Sequence, residues 1–354
     1  MAVESTIGVG GTYTSLQAWE DAIPATLSDH YIGYVKKGLL SGSGNRLTID
    51  GHSGASSSNR ITLTTDFAGN AAPGSGNVDA SIFDDDTNPI KLDQSFASIR
   101  GDVAYNGVIL VVTDYTVIEK LQVENTRSAG SAAGILLGVS SSNITVRRCL
   151  VDLSAGSGKA IDSSSSVNTK ILNNAIFSQV VEGATSYSIS SNNSTTIIAG
   201  NTAVRRIGLG LTGAVYGIFD SGSYGRALML NNAAYGHAEN FAKQGGGAFN
   251  ASSNYNASNG PTVPGANSLS NQAYTAVSPF VNSEAGTYDL RLVDGSYLIG
   301  KGTPDSNIPN DIFDNPRDPT TPCIGCHEFL SGPPPTGTNE FYTAKGASFV
   351  QSVP

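Results

Sequence analysis

A short alternation of apolar and polar residues recurs through the middle of the chain. Each copy has an apolar residue at its first position and another at its sixth. The copies are Ile118-Glu-Lys-Leu121-Gln-Val123, Val146-Arg-Arg-Cys149-Leu-Val151, Ile171-Leu-Asn-Asn174-Ala-Ile176, Ile198-Ala-Gly-Asn201-Thr-Ala203 and Met229-Leu-Asn-Asn232-Ala-Ala234. Their first positions are 28, 25, 27 and 31 residues apart. Repetition at this period indicates a solenoid, in which each coil buries its apolar face against its neighbours.

The phrase favours β-strands over helices as the repeating unit. A helical repeat would show apolar residues at a 3.6-residue period over ten or more positions, and a leucine-rich repeat would show Leu at fixed offsets. Neither pattern occurs here. We therefore predict an all-β solenoid.

The fourth position of the phrase predicts a ladder of stacked side chains. It holds Leu121, Cys149, Asn174, Asn201 and Asn232. Asn at the end of a short strand tolerates left-handed backbone angles, and stacked coils place equivalent side chains one above another. We expect a left-handed residue and an Asn ladder at this position.

Residues 1–30 are predicted to form an N-terminal cap. Thr14 or Ser15 can cap a helix that starts here. One apolar stripe follows at helical spacing, formed by Leu16, Trp19 and Ile23. An uncovered solenoid end would expose core and strand edges, so we expect this helix to cover the first coil.

Residues 31–278 are predicted to form the coils. Before the repeats begin, five strands are expected at Tyr31–Val35, Arg46–Ile49, Arg60–Thr65, Phe96–Arg100 and Gly107–Val112. The Gly-rich residues 68–86 between them predict a protruding loop.

Residues 279–330 carry the most specific phrases of the chain. These are Tyr288-Asp-Leu-Arg-Leu292, Asp311-Ile-Phe-Asp-Asn-Pro316-Arg317 and Ile324-Gly-Cys-His-Glu-Phe329. In this order they resemble the closing segment of bacterial and phage β-helix repeat proteins. The match departs at Cys323 and Cys326, where that family most often has aspartate and alanine.

With the repeats, these phrases make residues 1–330 resemble the pectate-lyase-like superfamily. The resemblance implies a right-handed single-stranded parallel β-helix with three sheets, its coil repeated about ten times. The last residues, 331–354, form a Pro-rich spacer and an extended C-terminal arm. Four apolar residues suit that arm for docking on its own subunit or on a neighbour: Phe341, Tyr342, Phe349 and Val350.

Composition narrows the possible partners. The 41 Gly and only 14% charged residues fit many tight turns between short strands. A net charge of −9 argues against nucleic acid, which needs a basic stripe, and no apolar run approaches the ~20 residues that cross a membrane. No secretory signal is visible, so we expect either a removed leader or none. Proteins or glycans are the expected partners.

The three cysteines raise two cofactor hypotheses. Cys323-Ile-Gly-Cys326-His327 matches the attachment pattern of c-type haem, and with a remote His (His30, His52 or His237) it has the residue types of a zinc site. The five residues coincide with the closing phrase of the β-helix, so we interpret the cysteines as a thiol pair, free or oxidised. We predict no cofactor and no metal site.

Acidic residues and tyrosines provide the remaining candidates. Asp84-Asp85-Asp86 is the densest acidic cluster, but successive residues of a strand point to opposite faces, so we interpret it as a solvated loop. Other acidic residues near strand ends are Asp102, Asp114, Glu124 (with Arg127), Asp152, Asp162, Glu182 and Asp220. A sugar-stacking strip is a further hypothesis, formed by Tyr216, Tyr224, Tyr235 and Tyr255. None of these residues is predicted to be catalytic.

Three functions fit these patterns. The first is a non-enzymatic structural protein of a bacteriophage virion, such as a capsid decoration protein, head fibre or tail-associated β-helix. It would be held to its neighbours through its termini, as a homo-oligomer for which the resemblance favours a trimer. The second is a polysaccharide-degrading lyase or glycosidase. The third is a secreted or cell-surface bacterial adhesin.

Overall fold

A computed structural model describes residues 2–42, 47–65, 81–84, 86, 88–101, 107–127, 131–154, 157–178, 185–205, 214–222, 226–245, 248–274, 278–282 and 288–330. Within these ranges the structure is almost entirely β. It has one α-helix, α1 (Leu16–Glu20), and one 3₁₀ turn at Ile82–Asp84. No helix in the described part of the chain has the length and apolarity needed to span a bilayer.

Twenty-five strands make up the rest of the regular structure in these described ranges. The first thirteen are β1 Ala2–Ile7, β2 His30–Val35, β3 Leu39–Gly42, β4 Leu47–Ile49, β5 Ile61–Thr64, β6 Ser98–Gly101, β7 Gly107–Val111, β8 Thr116–Glu119, β9 Gln122–Asn125, β10 Ser131–Leu137, β11 Thr145–Arg147, β12 Leu150–Leu153 and β13 Ser157–Ser163. The others are β14 Lys170–Leu172, β15 Ala175–Ser178, β16 Thr185–Ser191, β17 Ile197–Ala199, β18 Thr202–Arg205, β19 Ala214–Asp220, β20 Leu228–Leu230, β21 Ala233–Tyr235, β22 Glu239–Lys243, β23 Ala257–Ser258, β24 Phe280–Asn282 and β25 Asp289–Leu292.

The strands β1 to β23 form three parallel sheets that run the length of the rod, and β24 and β25 form a separate antiparallel pair. Sheet I has the order β1-β2-β5-β8-β11-β14-β17-β20, sheet II β4-β7-β10-β13-β16-β19-β22, and sheet III β3-β6-β9-β12-β15-β18-β21-β23. Each coil adds one strand to each sheet. The predicted three-sheet parallel β-helix is thus confirmed. With eight, seven and eight strands in the described sheets, the expectation of about ten coils is wrong.

The repeated phrase places its two apolar positions on two different sheets. Its first residue lies in sheet I and its sixth in sheet III, and both point into the coil, where they are fully buried. Equivalent positions of successive coils therefore lie next to each other. Ile171, for example, is the register partner of Val146 on one side and of Ile198 on the other. Each Ile, Val or Met at these positions contributes about 1.5–3 kcal/mol of burial free energy.

The predicted ladder is present at the fourth position of the phrase. The side-chain amide of Asn174 donates to Oδ1 of Asn201 at 2.9 Å, and that of Asn201 donates to Oδ1 of Asn232 at 3.0 Å. Asn232 continues the ladder to Asn256 at 3.0 Å, a residue outside the five phrases. All four side chains are fully buried. The ladder satisfies polar groups that would otherwise be stranded inside the rod.

The left-handed residue lies one position earlier than expected. The third residue of the phrase has positive φ in Lys120 (56°), Arg148 (53°), Asn173 (53°), Gly200 (65°) and Asn231 (54°). The expectation of a left-handed fourth residue is therefore wrong. The bend from sheet I to sheet III occurs at the third residue, and this turns the fourth side chain inward.

The N-terminal cap contains the predicted helix in shortened form. Ser15 is its N-cap and accepts a hydrogen bond from the Ala18 amide at 3.2 Å. Trp19 is 2% exposed and packs over Gly33, where an added Cβ would lie 2.6 Å from the indole ring. Strand β1, which precedes the helix and pairs with β2, was not predicted from the sequence.

Polar side chains of α1 also cover the free edge of sheet II. The edge strand β4 donates its Thr48 amide to Oε1 of Gln17 at 3.1 Å, and the Asp50 amide just beyond it donates to Oε1 of Glu20 at 3.2 Å. His52 lies 2.9 Å from the same Glu20 oxygen. The hydrogen bond to Glu20 raises the pKa of His52. The helix thereby satisfies donors that an exposed edge strand would offer to another chain.

Residues of the closing segment (279–330) build a second hydrophobic core against the outer face of sheet III. They include Phe280, Leu290 and Ile324, and they pack on outward residues such as Phe177 and Tyr235. Ile82 and Phe83 are also buried in this core, so the described end of the predicted protruding loop does not protrude. The arm residues Phe341, Tyr342, Phe349 and Val350 lie outside the described residues.

The left-handed turn residues help to hold the closing segment. Arg148 forms an ion pair with Asp314 at 2.6 Å, and the side-chain amide of Asn173 donates to the Asn310 carbonyl at 2.7 Å. These side chains point outward because the left-handed turn directs them away from the coil. One turn position thus bends the chain and attaches the closing segment.

Candidate functional site

Two of the acidic candidates lie side by side on sheet III. Glu124 and Asp152 are register partners on neighbouring coils. Glu124 accepts hydrogen bonds from Arg100 at 2.6 Å and Gln94 at 3.1 Å, and Asp152 is fully buried. A glycan-cleaving acid pair must reach its substrate. With exposures of 7% and 0%, these two carboxylates are placed for a structural role.

The remaining acidic candidates are dispersed. Asp114 accepts the Ser142 amide at 2.6 Å, and Asp220 is fully buried, where it accepts the amides of Gly222 and Ala227. Asp162 lies on the outer face of sheet II and is described below. Asp102, Glu182, Asp85 and the side chain of Asp84 lie outside the described residues, and Asp86 is exposed.

The Cys-x-x-Cys-His motif lies in the second hydrophobic core. All three cysteines are free and buried, and burial raises the pKa of Cys323 to about 11 and that of Cys326 to about 12. Nδ1 of His327 accepts a hydrogen bond from the Leu292 amide at 3.0 Å. Among the described residues, no group of three His, Cys, Asp or Glu side chains is arranged to hold a metal ion. The hydrogen-bond partners of the three remote histidines lie outside this motif: Thr62 for His30, Glu20 for His52 and Ser188 for His237.

A buried ion pair explains why the closing phrases contain Arg and Glu. Arg317 donates to the carbonyls of Cys323 at 3.0 Å and Gly325 at 2.6 Å, and it pairs with Glu328 at 3.3 Å. Asp311 accepts three backbone amides nearby, and burial raises its pKa to about 6. These charged residues are structural, because each one closes a turn of the segment.

Two buried histidines are neutral in the folded protein. Nε2 of His237 lies 3.0 Å from the Ser188 hydroxyl, and burial lowers the pKa of His237 to about 3 and that of His327 to about 4. The unfolded chain binds protons near pH 6.5 that these folded sites do not accept. The stability that the two neutral histidines give to the folded state is therefore present above pH 6.5 and is lost as the pH falls. Asp311 has the opposite sign, because its raised pKa favours the folded state as the pH falls from about 6 towards 3.8.

The four tyrosines of the predicted strip do not come together. Tyr235 is fully buried and stacks on Tyr274 in the second core, while Tyr255 lies in a left-handed turn. Tyr224 is outside the described residues. Only Tyr216 lies on the outer face of a sheet with other aromatic rings beside it.

Those rings form an aromatic face on the outside of sheet II. Tyr187 and Tyr216 are register partners on neighbouring coils, and their rings stack with centroids 5.2 Å apart and planes 15° apart. Phe219 completes the cluster, with its centroid 4.8 Å from that of Tyr187 and 5.8 Å from that of Tyr216. All three side chains are partly exposed.

Polar side chains continue this face on the preceding coil. Lys159 is the register partner of Tyr187, and Asp162 that of Ser190. Lys159 and Asp162 form an ion pair at 2.8 Å, and the Ser164 hydroxyl donates to Asp162 at 2.5 Å. The aromatic face, as we use the term, consists of Lys159, Asp162, Tyr187, Tyr216 and Phe219.

A local irregularity gives each coil two outward residues on this face. Ala160 and Ile161 are adjacent and both point inward, so Lys159 and Asp162 on either side both point outward. The same inward pair occurs in the next coil, where Tyr187 and Ser190 flank it. Two parallel rows of outward side chains result.

The aromatic face has surfaces that can bind a ligand, but it lacks the two closely spaced carboxyl groups of a glycosidase. Asp162 has Leu136 and Ser190 as its register neighbours, and Glu239 lies on the coil beyond Tyr216. Glycosidases need two carboxyl groups about 5–10 Å apart across one bond. No such pair lies on this face within the described residues. Ring faces and a charged pair side by side suit recognition of a molecule with apolar faces and many hydroxyls.

The sequence contained a signal for this face. Tyr187-Ser-Ile189 and Tyr216-Gly-Ile218 repeat a Tyr-x-Ile pattern at the coil period, 29 residues apart. The four tyrosines of the predicted strip are not spaced at the coil period. Aligning tyrosines on the repeat would have paired Tyr187 with Tyr216.

Comparison with known proteins finds no match by sequence and a low similarity to solved structures. No family model matches the chain, and no curated protein matches it. Among solved structures, it is similar to the pectin methylesterase from Aspergillus niger at 13% identity with a TM-score of 0.44, covering 80% of this chain and 90% of that one. It is also similar to the pectate lyase Pel9A at 14% identity with a TM-score of 0.35, covering 93% and 96%.

The parallel β-helix of this chain is shown by its own strand order. At these identities and TM-scores, the likeness carries no argument about activity. The function of this chain has to be argued from its own surfaces.

Proposed function

We propose that this protein is a non-enzymatic β-helical rod that binds a glycan on the aromatic face of sheet II. The observation that carries the proposal is the stacked pair Tyr187 and Tyr216, with Phe219 on one side and the Lys159–Asp162 ion pair on the other. Aromatic rings pack against the CH faces of sugar rings, and charged side chains hydrogen-bond their hydroxyls.

The spacing of the coils suits a chain-like ligand. Strands of neighbouring coils lie about 4.8 Å apart, so the three coils that carry Lys159, Tyr187 and Tyr216 span roughly 10 Å. A sugar ring is about half that length, so the face offers room for about two rings along the rod. A disaccharide unit is the smallest ligand expected to cover it.

The experiment is calorimetric titration with a panel of neutral and acidic oligosaccharides. Tyr187→Ala and Tyr216→Ala should each weaken binding about tenfold or more, because each removes a stacking surface. Leu110→Ala is the matched control, since Leu110 is a partly exposed residue of the same sheet, two coils from Asp162. Equal binding by wild type and Tyr216→Ala would refute the assignment of this face.

A second assay separates binding from catalysis. The bound oligosaccharide should be recovered at its original length after prolonged incubation with the protein. Progressive shortening that is abolished in Asp162→Asn would instead establish the alternative, a polysaccharide lyase or glycosidase. The aromatic face supports the binding role, because Asp162 has no partner carboxylate on its register neighbours.

We propose a bacteriophage virion as the setting, with a secreted or surface adhesin as the alternative. A rod of continuous parallel sheets, with its first edge covered by α1, is suited to a stiff structural part that presents a glycan-binding face. In this proposal the termini hold the rod to its neighbours and the protein is a homotrimer. Native mass measurement and detection in purified particles test it, and a monomer absent from particles would contradict it.

A further inference from the structure

A concave surface lies on the outside of sheet I, which is not the sheet that carries the aromatic face. It is a groove of about 320 Å³ across strands β2, β5, β8 and β11. Its floor is a row of outward residues in register on successive coils: Ile32, Thr62, Val117 and Thr145. Because this groove lies on another sheet, any ligand it binds is independent of the proposed glycan face.

The groove has a cation on each side. Arg60 lies beside His30 on one side, and Arg147 lies beside Glu119 on the other. Among the groove's lining residues Glu119 is the only carboxylate, so the two arginines leave one net positive charge. The chain as a whole carries −9. The groove is therefore a locally cationic surface on an acidic protein.

His30 contributes a hydrogen-bond donor to the groove and no charge. Nε of Arg60 donates to Nε2 of His30 at 3.4 Å, and because a guanidinium can only donate, Nε2 holds the lone pair and Nδ1 the proton. The Thr62 hydroxyl lies 2.9 Å from the same Nε2. Burial and the Arg60 charge lower the pKa of His30, which keeps the ring neutral near pH 7.

Both arginines retain unused donors. Arg60 uses only its Nε, in a hydrogen bond at the long end of the range, and Arg147 uses only its Nε, towards Glu119. Within the described part of the chain, the terminal nitrogens of both guanidinium groups have no hydrogen-bond partner. Two planar forks beside one groove match the geometry of an oxyanion, which accepts paired hydrogen bonds from Arg.

We propose that the groove of sheet I binds an oxyanion group, a carboxylate or a phosphate, carried on a molecule of about one sugar ring in size. Arg60 is the principal anion ligand, because Arg147 is already partly neutralised by Glu119. The volume is at the lower end of the range for small-molecule sites, which excludes larger ligands from full enclosure.

The test is calorimetric titration with three probes of similar size: glucuronate, glucose 6-phosphate and glucose. At least one of the two anionic probes should bind, and their relative affinities decide between carboxylate and phosphate. Glucose should bind at least tenfold more weakly than the preferred anion. Equal affinity for glucose, or no heat from either anionic probe at 50 mM, would overturn the proposal.

Three variants locate the site. Arg60→Gln should lose about tenfold or more in affinity for the anionic probe. Lys301→Gln makes the same change in net charge at an exposed residue of the closing segment, which lines neither the groove nor the aromatic face, and should leave that affinity unchanged. If both variants weaken binding equally, the effect is one of overall charge and the site is refuted.

The third variant gives a gain that a misfolded protein would not show. Glu119→Gln removes the one negative charge of the groove while preserving its shape, so the anionic probe should bind several-fold more tightly. Unchanged or weaker binding in Glu119→Gln would show that the groove charge does not act on the ligand.

Discussion

Removing one member of the asparagine ladder should destabilise the rod by several kcal/mol. Asn201 is fully buried, and its Oδ1 accepts the backbone amide of Asn174 at 2.9 Å and the side-chain amide of Asn174 at 2.9 Å. Its Nδ2 donates to the Ile171 carbonyl at 2.8 Å and to Asn232 at 3.0 Å. Asn201→Ala leaves the Asn174 amide without its acceptor in a site that water does not reach.

The magnitude follows from the groups that lose their partners. A buried polar group left unsatisfied costs about 1–3 kcal/mol. The Asn174 amide loses its acceptor outright, and the Ile171 carbonyl loses a donor, so we expect a loss of about 2–5 kcal/mol. Asn192→Ala is the matched control, because Asn192 is exposed and should shift stability by less than about 0.5 kcal/mol.

Equilibrium unfolding in urea, followed by circular dichroism, measures both variants. A double-mutant cycle with Asn232→Ala isolates the bond between ladder neighbours, and the double loss should be smaller than the sum of the two single losses by about 1 kcal/mol. A loss below about 0.5 kcal/mol in Asn201→Ala would refute the reasoning, and strict additivity would show that the neighbouring amides do not act as a unit.

Three further predictions concern the charged and titrating groups. The free energy of unfolding should fall between pH 7 and pH 5, by about 2 kcal/mol for each of the two buried histidines. The raised pKa of Asp311 offsets part of this fall. His237→Gln should make the fall shallower, as measured by unfolding titrations at the two pH values. An unchanged slope would contradict the buried, neutral histidine. Glu20→Gln should speed hydrogen exchange at the Asp50 amide, because an amide oxygen is a weaker acceptor than a carboxylate. It should also reduce the stability that the His52–Glu20 pair provides below pH 6.5 and loses as the pH rises through the raised pKa of His52. Protection of the Asp50 amide equal to that of wild type would exclude Glu20 as the edge cover. Arg317→Met should lower the free energy of unfolding by about 3–5 kcal/mol, because it leaves Glu328 buried and unpaired. Adding Glu328→Gln should restore part of this stability in the same unfolding assay. No recovery in the double variant would mean that the unpaired charge does not cause the loss.

The coil and its interior could be predicted from the amino-acid pattern alone. The first and sixth positions of the phrase are buried in sheets I and III as their apolar character requires, and the fourth position forms the Asn ladder. These features repeat at the coil period, so local chemistry and global stacking give the same pattern. The short helix at Ser15 was predictable for a similar reason, because a cap residue and an apolar stripe are local signals.

Which surfaces face solvent could not be predicted in this way, because it depends on the packing of distant segments. Tyr235 and Tyr216 look alike in sequence, but the closing segment folds over sheet III and buries the first, while sheet II leaves the second partly exposed. Glu124 and Asp152 are 28 residues apart in sequence and become neighbours only through the register of the coils. Burial and the meeting of distant residues depend on how separate segments pack, and no local pattern encodes that.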